Sequence, residues 1–186
     1  MLRYTVFRTK WGYFAFAGVE DAVSRTFLPV PDRQTAERGL LLGLGPAAHD
    51  IRFSQSFLPD LQERIVAYFE GEAVDFSVDP PADLDHASLF GQKVMRACRS
   101  IPYGRTMTYS DLAGQVGSPV AARAVGGVMA SNPIPLIIPC HRVLRTDGGL
   151  GGFSAPGGTA TKQRMLEHEQ ARSYRETGVI AEQASQ

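Results

Sequence analysis

Residues 108–130 decide the fold of this 186-residue chain, and they read TYSDLAGQVGSPVAARAVGGVMA. Thr108 and Asp111 have the spacing of a capping box, which predicts a helix over 109–116. Gly117 can end that helix, and the following Ser-Pro pair suits the start of a second helix over 120–130. The stretch therefore predicts a helix, a tight turn and another helix.

The second of these helices consists almost entirely of small side chains, with Arg123 as its only charge. Gly126 and Gly127 each cost roughly 1 kcal/mol relative to alanine in a helix interior, so another requirement must favour them. One explanation is that a bare helix surface formed by Ala121, Ala122 and Gly126 lets DNA approach the backbone closely. The other is tight packing against a second helix, and the sequence does not separate the two.

Residues 132–143, NPIPLIIPCHRV, follow directly and contain the strongest chemical signal. Three prolines stiffen the backbone around what we expect to be a short apolar strand, so that Cys140 is held at a fixed angle. Neighbouring side chains of an extended strand point in opposite directions, so the backbone must bend if His141 is to act on Cys140, and a water molecule is expected to join the pair. A rigidly held thiol beside a histidine indicates a nucleophile.

On the N-terminal side, residues 86–99 predict a helix that places Leu89, Val94, Met95 and Cys98 on one face, so Cys98 is interpreted as a core residue. Residues 57–70 predict another helix, closed by Gly71. Before it, strand-like alternation from Leu2 and a hairpin turn at 10–12 predict a small sheet.

The acidic, proline-containing segment 78–85 is interpreted as a linker. It divides the chain into an α/β support domain over 1–84 and a second domain over 85–172 that contains the helix-turn-helix and Cys140, with a flexible tail over 173–186. The fold class predicted is α+β, with a small N-terminal α/β domain and a mainly helical, winged-helix-like C-terminal domain built on the helix-turn-helix.

Composition is that of an ordinary globular protein, with 44% hydrophobic and 20% charged residues. The charges are distributed unevenly: residues 1–86 hold 8 basic and 13 acidic side chains, a balance of −5, whereas residues 87–146 hold 7 basic and 1 acidic, a balance of +6. The middle segment therefore favours a polyanionic partner, or it is merely a solvated basic face. The two cysteines are far apart and lack metal-ligand spacing, which predicts neither a disulfide nor a metal site. We also expect no signal peptide and no membrane span.

With these residues in view, the chain resembles the O6-alkylguanine-DNA alkyltransferases. The resemblance covers residues 87–170 densely and the first 86 residues more loosely. It rests on motifs that occur in the family's order: Tyr109, the AARAVGG run, Asn132, the PCHRV core, Gly152-Phe153-Ser154 and residues 162–169.

The resemblance implies repair of O6-alkylguanine in double-stranded DNA by irreversible transfer of the alkyl group to Cys140, once per molecule and without a cofactor. It implies that His141 and Glu169 assist Cys140 and that Asn132 acts as a hinge. Arg123 would fill the place of the flipped base. The pocket it implies is formed by Tyr109, Met129, Pro135, Val143, Phe153, Ser154 and Lys162.

Two features depart from the family or extend its expectations. Many members have a tyrosine where this chain has Phe153, which puts in doubt any hydrogen bond from that position. Ala155 and Pro156 enlarge the loop after Ser154, so tolerance of bulky adducts can differ. The expected state is a cytoplasmic monomer, nucleoid-associated when bound to DNA, with O4-alkylthymine left open as a further lesion.

Three rival functions compete with this interpretation. A damage-binding relative without a nucleophile is disfavoured because Cys140 is present. A cysteine hydrolase would use His49, His86 or His168 as its base, but no flanking signature supports one. A plain helix-turn-helix regulator would leave residues 132–143 unexplained.

Overall fold

A four-stranded sheet forms the N-terminal half. A computed structural model describes the backbone of residues 1–183 and the side chains of residues 1–170. The sheet has the order β3-β2-β1-β4, in which β1 is antiparallel to β2 and parallel to β4. The predicted hairpin turn is confirmed, since Thr9 pairs with Gly12. The strands are β1 (Leu2–Thr9), β2 (Gly12–Val19), β3 (Ala22–Val30) and β4 (Arg52–Phe53).

Strand β2 is apolar throughout because both faces of the sheet are covered. Ala15 and Ala17 point to a small cluster with helix α1 (Arg33–Leu44), whereas Phe14 and Phe16 point into the main core. A strand covered on both sides loses the alternation of apolar and polar residues that would otherwise reveal it.

The helix-turn-helix is present, with one shifted boundary. The capping box of Thr108 and Asp111 is confirmed. The second helix was predicted to begin at residue 120, but it begins at Ala122, because residues 118–121 form a turn in which the Ala121 N–H donates to the Ser118 carbonyl. The two helices of the helix-turn-helix are α4 (Tyr109–Gln115) and α5 (Ala122–Ala130), and the other helices are α2 (Pro59–Glu70), α3 (Leu89–Arg99) and α6 (Gly158–Gln183). A two-stranded parallel sheet joins β5 (Met107–Thr108) to β6 (Val143–Leu144).

Helix α3 buries most of the face that the sequence predicts. Val94, Met95 and Cys98 are in the core, and the interpretation of Cys98 as a core residue is confirmed. Leu89 was placed on the same face, but its side chain is 81% exposed. It is the first residue of the helix, directly after the Ser88 cap, where the chain enters from the surface.

The main hydrophobic core crosses the predicted domain boundary. It joins Phe14 and Tyr68 from the N-terminal half to Val94, Ile137 and Met165 from the C-terminal half. The segment interpreted as a linker also pairs with the sheet, since the Val23 N–H donates to the carbonyl of Pro81 and the Asp83 N–H to that of Val23. The two halves therefore share one core.

Helix α6 is longer than the sequence predicts. The backbone is helical to Gln183, and the flexibility expected from residue 173 stays a prediction. Residues 184–186 lie outside the described residues. Within the described part of the chain, no helix has the length and apolar character needed to cross a bilayer.

Candidate active site

Cys140 lies at the start of a short 3-10 turn, Cys140–Arg142, rather than at the end of a strand. The short apolar strand expected before Cys140 is replaced by a tight turn, in which the Ile138 N–H donates to the Ile134 carbonyl and Leu136 has a left-handed φ of 81°. Proline cannot supply the N–H groups that a strand ladder needs, so the proline-rich segment folds back on itself. The bend that His141 was predicted to require is therefore present.

Asn132 connects this turn to the thiol. Its Nδ2 donates to the Ile138 carbonyl at 2.9 Å and to Cys140 Sγ at 3.2 Å, while its Oδ1 accepts from the Ile134 N–H at 3.1 Å. One buried amide is therefore hydrogen-bonded to both ends of the turn and to the sulfur of Cys140. The N-terminal sheet holds the same turn, since Thr26 donates to the Pro133 carbonyl through its N–H and to the Pro135 carbonyl through Oγ1, at 3.0 and 2.7 Å.

The environment of Cys140 acts on its pKa in two directions. The residue is only 6% exposed, and burial raises the pKa of the thiol. The hydrogen bond from Asn132 and the positive charge of Lys162 act against that rise, because both stabilise the thiolate. The resting group is therefore a protonated thiol that needs a base before it can attack.

His141 directly follows Cys140 and is the candidate base. It is fully buried, and its Nε2 lies 2.7 Å from Oε1 of Glu169. Because a carboxylate only accepts, Nε2 carries the proton, which leaves Nδ1 as the acceptor. Nδ1 has no hydrogen-bond partner among the described residues, and burial lowers the pKa of the ring, so the resting imidazole is neutral.

Glu169 is held by donors from several parts of the chain. Arg142 binds it in a forked arrangement, through Nε to Oε2 and Nη2 to Oε1, both at 2.9 Å. The hydroxyl of Tyr68 donates to Oε1 at 2.9 Å and the N–H of Gly104 to Oε2 at 3.1 Å. Although burial raises the pKa of Glu169, donation from His141 and Arg142 takes it down to about 2. The carboxylate is therefore charged at neutral pH.

Lys162 and Tyr109 form a second polar group nearby. The ammonium of Lys162 donates to the Val143 carbonyl at 2.6 Å and lies 3.5 Å from the hydroxyl of Tyr109. Burial raises the pKa of Tyr109, which keeps its hydroxyl protonated and able to donate. Gly151 packs against this ring with a φ of +68°, and a Cβ there would lie 2.7 Å from the hydroxyl, so the position requires glycine.

The remaining predicted pocket residues occupy two different environments. Met129 is buried in the main core, and the half-buried Phe153 packs against that core. Pro135 and the exposed Ser154 instead line a cavity of about 330 Å³ together with Asn132. Ala155 and Pro156, the residues that enlarge the loop, line the same cavity.

The glycines of α5 face open space. A Cβ built on Gly126 or Gly127 would meet nothing within 4 Å, so tight packing against another helix does not explain them. Arg123 is exposed on the same helix, while Ala121 and Ala122 are half-buried at its start. The sequence could not separate these two explanations, and the structure removes one of them.

The basic segment is less available to a polyanion than its charge of +6 suggests. Arg142 is 6% exposed and pairs with Glu169, and Arg99 donates to the carbonyls of Phe76 and Pro80. Arg145 forms an exposed ion pair with Asp147. Arg142 was counted in the charge balance of the segment, but its charge faces Glu169 inside the protein.

Sequence reasoning also missed Tyr68 and Gly104 as partners of Glu169. Tyr68 is 101 residues away along the chain and stands among apolar residues that mark an ordinary core helix. No local signal could have revealed it. Arg142 carried a signal, since it lies within the PCHRV core and two residues from Cys140.

The described residues contain no group of three or more His, Cys, Asp or Glu side chains placed to hold a metal ion. The expectation of a protein without metal or cofactor stays a prediction. Cys140, His141 and Glu169 could assist one another directly, since their chemistry needs only proton transfer and a nucleophilic sulfur.

Comparison with known proteins finds relatives over most of the chain. A family model described as 6-O-methylguanine DNA methyltransferase, DNA binding domain, matches residues 89–171. A methylated-DNA–protein-cysteine methyltransferase of Cricetulus griseus is 34% identical over 185 residues, which cover 90% of this chain and 82% of that protein. The protein of the same name from Mycobacterium tuberculosis strain H37Rv is 43% identical over 111 residues; this match spans 60% of the present chain and only 64% of the relative.

Solved structures extend the similarity to nearly the whole chain. The crystal structure of Mycobacterium tuberculosis O6-methylguanine methyltransferase aligns with a TM-score of 0.74 and 31% identity, covering 92% of this chain and 94% of that one. A crystal structure of Mycobacterium tuberculosis OGT in complex with DNA aligns with a TM-score of 0.73 and 30% identity, covering 91% and 94%. The similarity therefore includes the N-terminal half, where the motifs are weakest.

Proposed function

This chain belongs to the methylated-DNA–protein-cysteine methyltransferase family, and we propose that it repairs O6-alkylguanine in double-stranded DNA by irreversible transfer of the alkyl group to its own Cys140. The observation that carries the proposal is the arrangement around Cys140. A buried thiol accepts a hydrogen bond from Asn132 and is followed by a neutral histidine that a charged glutamate orients.

The first step is removal of the thiol proton. His141 Nδ1 takes it, directly or through one water molecule, and the imidazolium that forms is stabilised by Glu169. Asn132 and the ammonium of Lys162 stabilise the thiolate at the same time. Each charge that forms in the buried site therefore has a partner: the thiolate has Asn132, and the imidazolium has Glu169.

Transfer follows at the alkyl carbon of the lesion. A bond forms between Cys140 Sγ and that carbon, and the bond from the carbon to O6 of guanine breaks, with its electron pair passing to the base. Tyr109 donates to a ring nitrogen of the departing guanine, which offsets the developing negative charge. The carbonyls of Cys140 and Val143 read the base edge, with Lys162 fixing the second of them.

A target base must leave the duplex to reach a thiol this deeply buried. Helix α5 would contact DNA through Ala121, Ala122 and Gly126, where open space at the glycines allows close approach, and Arg123 would fill the gap in the stack. The relative solved in complex with DNA supports this partner. Met129, Pro135, Phe153 and Ser154 would wall the pocket for the flipped base.

The finer architecture and setting are part of the same proposal. Residues 85–172 act as a winged-helix-like DNA-binding unit, and residues 1–84 support it from the sheet side. The protein works as a cytoplasmic monomer without a cofactor, and O4-alkylthymine remains a further candidate lesion.

Stoichiometry tests the proposal directly. A fixed amount of protein is titrated with excess duplex that carries one O6-methylguanine with a labelled methyl group, and the labelled peptide is identified by mass spectrometry. We expect one label per chain on Cys140, because a thioether has no good leaving group. Cys140→Ala should accept none, whereas Cys98→Ala should behave as the unaltered protein. Repair of more than one equivalent of O6-methylguanine, or label on Cys98, would contradict the mechanism.

A further inference from the structure

Tyr68 belongs to α2, in the half of the chain that was interpreted as a support, yet it reaches the catalytic carboxylate. Its side chain is fully buried, and its hydroxyl donates to Glu169 Oε1 at 2.9 Å. That same oxygen lies 2.7 Å from His141 Nε2. One atom therefore joins an N-terminal hydroxyl to the base of the transfer reaction.

The Tyr68 hydroxyl is not needed for packing in the core. The ring of Tyr68 packs against Phe69, Phe76 and Tyr103, contacts that phenylalanine would make equally well. Burying a hydroxyl is unfavourable unless it finds a partner, so its presence indicates a requirement for the donor. Burial and the charge of Glu169 raise the pKa of Tyr68, which keeps this donor protonated.

Donation to Oε1 has a chemical consequence for His141. Arg142 holds both oxygens of Glu169, but the Tyr68 hydroxyl acts on the single oxygen that accepts from His141. A hydrogen bond to a carboxylate oxygen makes that oxygen a weaker proton acceptor. With the Tyr68 bond in place, Oε1 still orients the ring but stabilises the imidazolium less, so the ring rests in its neutral form and Nδ1 stays able to take a proton.

We propose that Tyr68 is a positioning residue for alkyl transfer, which fixes Glu169 Oε1 against His141 Nε2 and limits the basicity of that oxygen. The proposal rests on the roles proposed above for Cys140 and His141. It makes the N-terminal half a working part of the active site. Glu169 from α6, Arg142 from the cysteine turn and Tyr103 are ionisable groups that act on the Tyr68 hydroxyl, and His168 of α6 packs against the Tyr68 ring at 5.4 Å between centroids. Glu169, Arg142 and Lys162 act on His141.

The test compares two variants that each remove one buried tyrosine hydroxyl. Tyr68→Phe deletes the donor to Glu169, and Tyr4→Phe is the matched control, because Tyr4 also donates to a glutamate, Glu37, but in the small cluster beside α1. Single-turnover reaction of each variant with free O6-benzylguanine is measured from pH 5 to 9, and nitrogen-15 NMR follows the titration of His141.

We expect Tyr68→Phe to react roughly tenfold more slowly at pH 7, because Glu169 loses one of the hydrogen bonds that hold it and less of His141 rests in the neutral form that can take the thiol proton. Its Oε1 becomes a stronger acceptor and stabilises the imidazolium, so the pKa of His141 rises and the acid limb of the rate profile moves to higher pH. Tyr4→Phe should keep the rate and the profile of the unaltered protein.

A second variant, Tyr68→4-aminophenylalanine, keeps a donor at the para position and should recover a large part of the lost rate. It also decides the matter if Tyr68→Phe does not fold. An unchanged rate in Tyr68→Phe, a slower rate with the same pH limb and the same His141 titration, an equal effect of Tyr4→Phe, or no recovery with the amino variant would each overturn the proposal. If the unaltered protein places no label on Cys140, the proposed function fails instead, so the two failures are distinguishable.

Discussion

Replacing Arg142 should destabilise the protein far more than replacing its neighbour Arg145, although both arginines pair with a carboxylate. Arg142 is 6% exposed and binds Glu169, which is 1% exposed, and its Nη1 also donates to the Ile101 carbonyl at 2.6 Å. In Arg142→Met a side chain of similar length fills the space, but the buried carboxylate of Glu169 loses the positive charge of its partner and the Ile101 carbonyl loses its donor.

The magnitude follows from the burial of the pair. Removing one partner of a buried ion pair costs about 3 to 5 kcal/mol, because the other charge is left without compensation. A domain of ordinary stability has only about 5 to 15 kcal/mol in total, so the variant should be close to unfolding. Arg145→Met should leave stability almost unchanged, since the side chains of Arg145 and Asp147 are 61% and 60% exposed and water screens the pair.

Urea unfolding at pH 7, followed through the fluorescence of Trp11, measures both variants. Equal unfolding midpoints for Arg142→Met and Arg145→Met would refute the argument. A pH series then isolates the cause, because without Arg142 the buried Glu169 has a raised pKa and takes up a proton on acidification. The stability difference between Arg142→Met and the unaltered protein should therefore shrink between pH 7 and pH 4, and a constant difference would show that Glu169 is not responsible.

Three further predictions follow from the same structure. Gly126→Ala should raise stability by up to about 1 kcal/mol, since the added methyl meets open space, while weakening binding to duplex DNA in a fluorescence titration; a loss of stability would return the glycine to a packing role. Arg123→Ala should slow repair in duplex DNA much more than reaction with free O6-benzylguanine, and equal losses would remove Arg123 from base flipping. The unaltered protein should lose stability in urea unfolding as the pH falls from 7 to 3. The pKa of His141 is lowered in the fold, so its contribution to stability is complete above the usual value of 6.5 and falls below it. The contribution of Glu169, about 3 kcal/mol in full, is complete above the usual pKa of 4.5 and falls as the pH approaches about 2, and a flat profile would contradict both shifts.

The elements that the sequence predicts well are those with local causes. A capping box, a helix-ending glycine and a hairpin turn act within a few residues, so the starts of α4 and β2 and the end of α2 follow from the residues themselves. The cysteine segment was recognised from contiguous motifs, but its backbone was predicted wrongly. Apolar residues suggested a strand, whereas the prolines and the left-handed Leu136 close a turn.

The sequence by itself therefore indicated Cys140 as the candidate nucleophile, its histidine neighbour and the helix-turn-helix, because each depends on a short run of residues. Only the tertiary structure decided that Arg142 is buried rather than exposed to DNA, that the glycines of α5 face open space, and that Tyr68 donates to Glu169. The physical reason is that the local sequence is the same whether an arginine is buried or exposed, whether a glycine is packed or faces open space, and whether a tyrosine hydroxyl has a partner or not. The surroundings of these residues come from segments up to 101 residues away, which meet only when the shared core forms.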